Sequence, residues 1–250
     1  MATHNPVDTA DPVAWIAGVG ASAGLGAALA RRFARGGLTA AVTARNAEHV
    51  QAVVREIEQA GGRAVALPGD VAVAAEMERL AQTVRGLGSL RVAIYNAAQA
   101  VWGSLLQITP AQFEEAWRSS TYGGFLFARA AVPALLAGGG GSLLFTGATA
   151  SIRGRGPFVA FAAAKAGLRS LAQSTAREFG PRGVHVAHVI IDGGIDGERL
   201  RTNAPSRVAD AGEDGLLHPD AIAETYWQLH QQQRSAWTHE LDLRPFKEAF

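Results

Sequence analysis

Two rhythms of apolar residues take turns along this chain. Short apolar runs at Val13–Gly18, Leu38–Thr43, Arg63–Leu67, Leu90–Tyr95, Ser142–Thr146 and Val184–Ile191 read as strands. Between them lie longer stretches with helical spacing, at Leu25–Arg35, Ala47–Ala60, Val73–Leu87, Ala111–Ala137 and Phe158–Phe179. Gly61-Gly62 closes the second of these and Gly138–Gly141 the fourth, as residues that leave the helix without strain do. Strands alternating with helices in this way predict parallel βαβ units. The expected class is α/β, a single doubly wound parallel sheet with helices on both faces.

After the sixth strand regularity lapses. Gly193–Leu217 is rich in Gly, Asp, Arg and Pro, and a long stretch without periodicity predicts a mobile lid or substrate loop. A helix over Pro219–Gln233 and a last strand over Trp237–Leu243 complete the pattern. No internal repeat and no linker divides the chain. Residues 13–250 are therefore expected to form one domain behind a flexible polar tail, residues 1–12.

Composition removes several classes of function. Hydrophobic residues make up 48% of the 250, which excludes a disordered chain. Lys plus Arg number 23 and Asp plus Glu 22, so there is no basic field for nucleic acid and no charge run for a membrane surface. The chain has no cysteine, which excludes disulfides, thiolate catalysis and cysteine-ligated metal. The N-terminal segment lacks a basic stretch followed by an apolar one, and no apolar run approaches a membrane span. A soluble, cytoplasmic protein acting on a small molecule is the expectation.

The first chemistry-bearing motif is Gly20-Ala21-Ser22-Ala23-Gly24-Leu25-Gly26, which follows the first predicted strand and opens the first helix. In that position one glycine permits a tight turn, one lets backbone approach a pyrophosphate, and one lets helix and sheet pack closely. The helix N-terminus adds free N–H groups and the positive end of its dipole. A glycine turn selected for packing alone would look the same locally. The strand, helix and further βα units around it favour a Rossmann-type dinucleotide site, with Gly20, Ser22, Gly24, Leu25 and Gly26 as its loop.

The end of the second strand selects the cofactor. An NAD site places Asp or Glu there to bond ribose hydroxyls, whereas this chain has Ala44-Arg45-Asn46. Without the acid a 2′-phosphate is not repelled, and Arg45 can grip it with charge-assisted bonds. The alternative is a solvated arginine in a turn. NADP(H) is expected over NAD(H).

From Val13 to about Gly197 the chain resembles the short-chain dehydrogenase/reductase family. The family's Gly-x-x-x-Gly-x-Gly loop matches Gly20, Gly24 and Gly26, with Val19 where threonine is usual. The resemblance implies that Asp70, with Val71 beside it, contacts the adenine; Asp70 can equally be an N-cap for a helix over Val71–Leu80. The family's Asn-Asn-Ala-Gly is present as Tyr95-Asn96-Ala97-Ala98, where Asn96 can also serve only as a strand-end turn residue. The resemblance further implies long helices that pair across subunits, hence a homotetramer or a homodimer.

The family's catalytic set is incomplete here. Its usual members carry Tyr four residues before Lys on one helix, a spacing that turns both to one face, with Ser and Asn nearby. In this chain Lys165 is present, but Phe161 occupies the tyrosine position, Ala148 the serine position and Ser120 the asparagine position. Phenylalanine has no proton to give, so the family's proton path cannot operate. Lys165 lies on an apolar stripe with Phe161, Leu168 and Ala172 and reads as retained for the cofactor ribose, or else as a snorkelling surface lysine. Asp192 replaces the family's proline after the sixth strand. It either faces substrate, where it would stabilise a cationic acceptor, or shapes the turn before Gly193 and Gly194.

His185 and His188 are three apart on a predicted strand, hence on opposite faces, and read as ordinary strand histidines; no metal site is expected. The leading expectation is an NADP(H)-dependent oxidoreductase with a nonclassical site built on Lys165 and Asp192. It would reduce imines or other activated acceptors. A dinucleotide-binding sensor or partner subunit without redox turnover, and a non-redox lyase on the same fold, are the alternatives.

Overall fold

The computed structural model describes residues 11–248. Seven parallel strands form one sheet in the order β3-β2-β1-β4-β5-β6-β7. They are β1 (Pro12–Ala17), β2 (Thr39–Ala44), β3 (Ala64–Pro68), β4 (Ser89–Tyr95), β5 (Gly141–Thr146), β6 (Val184–Ile191) and β7 (Glu240–Leu243). The chain first works outward from β1 to β3 and then returns to the other side of β1 with β4. That reversal leaves a crevice outside the carboxyl ends of the central strands, where open α/β sheets bind ligands.

Alternate residues of β1 face opposite sides of the sheet and seed two cores. Ala14 and Ile16 pack against α1 (Leu25–Arg35), α2 (Ala47–Gln59) and α9 (Pro219–His230). Val13, Trp15 and Ala17 pack against α3 (Ala74–Leu87), α5 (Gly123–Ala137) and α6 (Val159–Phe179). Both faces of the sheet are covered, as an all-parallel sheet requires.

Four boundaries differ from the sequence reading. Asp11 and Pro12 belong to the fold: the Asp11 carbonyl accepts from the Ser89 N–H at 3.0 Å, and Pro12 opens β1. The remainder of the proposed tail, residues 1–10, lies outside the described residues. The last strand begins only at Glu240, because Trp237 turns aside to stack on His185. The segment after β6 is not structureless, since α7 (Glu198–Asn203) and α8 (Pro205–Ala211) form within it.

The fourth difference is in the long helix. α4 (Pro110–Trp117) leads into a π-helical stretch, Arg118–Tyr122, before α5 begins. The cause is Tyr95 on β4, whose hydroxyl donates to the Ser119 carbonyl at 2.6 Å. That carbonyl is the acceptor an α-helix would offer to Gly123, so the Gly123 N–H reaches back to Arg118 instead. Gly123 must lack a side chain because its Cβ would lie 2.3 Å from the Tyr95 hydroxyl.

Candidate functional site

A single cleft of about 1480 Å³ opens at the carboxyl ends of the strands. Its floor at one end is the turn from β1 into α1. Gly18 takes φ +90°, and a Cβ there would meet Ala97 N at 2.3 Å. The Asn96 side chain donates to the Gly18 carbonyl at 2.9 Å, so the residue after β4 holds the glycine loop in place. At Gly26 a Cβ would come within 2.6 Å of the Gly18 carbonyl oxygen and 2.8 Å of Val19 Cα; the missing side chain is what lets α1 start directly against β1. Gly20 differs, for its Cβ position has nothing within 4 Å and faces the open cleft. A loop with one face packed and the other vacated by glycine fits a ligand that needs backbone contact, as a pyrophosphate does.

The rim beside this loop comes from β2 and β3. Arg45 is exposed, lines the cleft and has no side-chain partner among the described residues. Its neighbour Asn46 is already committed, accepting from Glu48 N at 2.9 Å and His49 N at 3.2 Å as the cap of α2. Asp70 and the buried Val71 also line the cleft. Asp70 is not the helix N-cap: α3 starts at Ala74 behind Val73, and the Asp70 carboxylate accepts from Ala72 N at 2.8 Å in the preceding turn.

Lys165 sits at the other end, on α6. It is 3% exposed and donates from Nζ to the Thr146 carbonyl at the end of β5, at 2.7 Å. Burial pushes its pKa down to about 7, with repulsion from Arg199 adding to the effect. A surface lysine with its ammonium in water is therefore excluded. Phe161, one turn earlier, lines the same cleft, and the Lys165 ammonium lies 5.8 Å from its ring centre. Ala148 and Thr149 on the loop after β5 complete this wall.

Asp192, at the end of β6, lines the cleft but is 2% exposed. Its carboxylate is fully engaged. The Thr149 hydroxyl donates to one oxygen and the Arg244 guanidinium to the other, while Arg153 stands 3.8 Å away. Behind the cleft His188 donates from Nδ1 to Glu240 at 3.0 Å, and Arg169 grips the same carboxylate at 2.6 and 2.7 Å. Burial pushes the His188 pKa down to about 4. His185 bonds the Thr238 carbonyl at 2.8 Å on the other face.

The sequence profile described as short chain dehydrogenase matches residues 14–206. The chain belongs to the short-chain dehydrogenase family. This is a family of oxidoreductases. The 2,5-dichloro-2,5-cyclohexadiene-1,4-diol dehydrogenase LinX of Sphingobium indicum is 34% identical over 198 residues, 76% of this chain and 75% of that protein. An oxidoreductase of Sarocladium schorii and a short-chain dehydrogenase/reductase of Hericium erinaceus are 29% and 33% identical, the matches spanning 67% and 66% of this chain and 66% and 68% of those proteins. A short-chain dehydrogenase crystal structure from Rhodopseudomonas palustris is 38% identical with a TM-score of 0.80, covering 94% of this chain and 99% of that one. A metagenomic short-chain oxidoreductase crystallised with NADP is 27% identical with a TM-score of 0.77, covering 94% and 97%.

Within this short-chain dehydrogenase fold the cleft gathers Gly20, Gly24, Leu25, Gly26, Arg45, Asp70, Val71, Asn96, Lys165 and Asp192. Ser22 is not among them. The Arg31 guanidinium takes its carbonyl at 3.0 Å and its hydroxyl at 3.4 Å, turning it toward α1 and Glu56. Ser120 is fully buried in the π stretch, and it is Ser119 that reaches the cleft. The cleft wall also carries Arg199 and Arg207, inside the Gly193–Leu217 segment expected to be a substrate loop, together with Arg153, Arg155 and Trp102, which no motif marks.

Proposed function

We propose that this protein is an NADP(H)-dependent oxidoreductase whose proton path departs from the family's usual one. One observation carries the reading: the glycine loop, Arg45 and Lys165 line a single cleft, and the side chain one helical turn before Lys165 is the phenyl ring of Phe161. Gly20, Gly24 and Gly26 with the α1 N-terminus would hold the pyrophosphate, and Leu25 packs beside it. Arg45 would bond the 2′-phosphate, Asp70 and Val71 the adenine, and Lys165 the nicotinamide ribose. A bound nicotinamide supplies or accepts hydride.

Neither Phe161 nor Ala148 protonates a developing alkoxide, so imines and other activated acceptors are favoured over simple ketones. Asp192 acts by position in this scheme. With both oxygens engaged it holds Thr149 and the segment after β7 against the cleft rather than meeting a substrate cation directly. The same two residues, Phe161 and Ala148, favour a second reading, a dinucleotide-binding protein without turnover. Following NADPH consumption across a panel of imines, enones and ketones separates them, since turnover on activated acceptors supports the first and binding without turnover the second.

The protein is further proposed to be a cytoplasmic homotetramer, or a homodimer. Phe113, Trp117 and Phe125 are exposed along α4 and α5, an apolar face suited to a second copy. Light scattering at micromolar concentration tests it, and a monomer contradicts it. Among the described residues no helix is long and apolar enough to cross a membrane.

A further inference from the structure

None of the dinucleotide contacts proposed above falls on Trp102 and the aromatic residues beside it in the cleft wall. Trp102 is 57% exposed, yet its ring is fixed. It meets Phe158 edge-on with centroids 4.5 Å apart and stands 6.0 Å from Phe161. The loop carrying it is pinned where the Gly103 N–H donates to the Pro157 carbonyl at 2.9 Å. A large aromatic side chain held rigidly at a cleft mouth and left uncovered marks a surface that a ligand covers.

The charge on this wall is the second observation. Arg155 lies in the turn before α6, Arg199 on α7 and Arg207 on α8, and all three are exposed and line the cleft. None has a hydrogen-bond or ion-pair partner among the described residues. Of the remaining cleft arginines, Arg45 stands unpaired on the rim beside the glycine loop, whereas Arg118 is 3.8 Å from Glu114 and Arg153 is 3.8 Å from Asp192. Arg207 extends over the end of β6, its guanidinium 3.6 Å from where a Cβ on Gly194 would be. Arg199 is near enough to Lys165 to oppose its charge. Glu115, Glu198 and Glu248 line the same cleft, so the three unpaired guanidinium groups act as local donors for an anion and not as a uniformly positive wall.

We propose that the substrate carries a planar, unsaturated ring that lies on Trp102, Phe158 and Phe161, and an anionic group, carboxylate or phosphate, that is bonded by Arg155, Arg199 and Arg207. The ring uses the faces and edges of the aromatic wall, and the forked donors of arginine match either anion. This assignment rests on the reading of the cleft as the redox site and names its substrate class.

Calorimetric titration of the full chain with 2-naphthoate, 2-naphthyl phosphate and methyl 2-naphthoate, with and without NADPH, tests the proposal. One of the two anions should bind about tenfold or more tightly than the neutral ester, as a charge-assisted contact implies. Which anion wins identifies a carboxylic or a phosphorylated substrate, and either supports the assignment. The Arg155→Ala, Arg207→Ala double variant should lose that preference while keeping its NADPH affinity, and Trp102→Ala should weaken all three probes alike. Binding of the ester as tight as that of both anions overturns the proposal. So does a double variant that loses NADPH as it loses the anion, because these arginines would then serve the dinucleotide phosphates. A chain that ignores NADPH yet keeps the anion preference removes the dinucleotide reading and overturns the redox-substrate assignment, leaving the wall as a binding site for an aromatic anion.

Discussion

Arg244 closes on the carboxylate of Asp192, tying the segment after β7 to the carboxyl end of β6. The two side chains are 17% and 3% exposed, so the pair is largely removed from water, and Arg244, Arg153 and the Thr149 hydroxyl all converge on the one carboxylate. Removing the carboxylate from such a buried pair takes away the anion these groups share and costs about 3 kcal/mol. Asp192→Asn should therefore lower Tm by roughly 6–12 °C for a chain of this size, read by thermal unfolding. An unchanged Tm would show that the carboxylate is not structural and is free for chemistry.

The glycine loop yields a contrast between two alanine substitutions. Gly26→Ala forces a methyl group into the Gly18 carbonyl and Val19 backbone, so it should destabilise the fold by about 1–3 kcal/mol. Gly20→Ala places its methyl group in open cleft and should leave stability within about 0.5 kcal/mol. It should nevertheless weaken NADPH binding about tenfold, because the methyl group occupies the space that lets backbone approach a pyrophosphate. Equal NADPH affinity for wild type and Gly20→Ala would place the dinucleotide elsewhere.

Lys165 makes stability depend on pH in a defined direction. Its pKa is depressed to about 7 in the fold and returns to about 10.4 in the unfolded chain. Between those values the unfolded state binds more protons, so stability rises as pH rises through that window. Below about pH 7 the full cost of burying the ammonium is present. The gap in denaturant midpoint between wild type and Lys165→Met should thus shift in favour of wild type from neutral to alkaline pH. A gap that is flat with pH contradicts the buried placement of the ammonium.

The missing proton donor can be restored. Phe161→Tyr combined with Ala148→Ser should raise turnover of a simple ketone with NADPH by about 100-fold, the lower range for a positioned general acid. Wild-type ketone reduction at ordinary enzymatic rates, about 1–1000 per second, would reveal a donor other than these two positions.

Much of this was legible in the sequence because the signals were local. The alternation of apolar runs is a property of neighbouring residues, and so is the Gly20–Gly26 loop between strand and helix. What escaped depends on partners far along the chain. The engagement of Asp192 comes from Arg244, 52 residues later, and the π stretch is imposed on Ser119 by Tyr95, 24 residues earlier. Ser22 shows the same limit at short range, since the Arg31 side chain decides which way it turns. Spacing locates Phe161 and Lys165 on one helix face, but nothing in spacing says that Trp102 will lie against that face.

The most direct test of the central claim is the NADPH and NADH affinity of wild type and Arg45→Ala, measured by calorimetry at one fixed salt concentration. Arg45 stands exposed on the cleft rim with no partner among the described residues and with no acid at the end of β2. Wild type should bind NADPH about tenfold or more tightly than NADH, the value of a charge-assisted contact, and Arg45→Ala should lose most of that difference while keeping its NADH affinity. Equal affinity of wild type for the two dinucleotides would contradict the account.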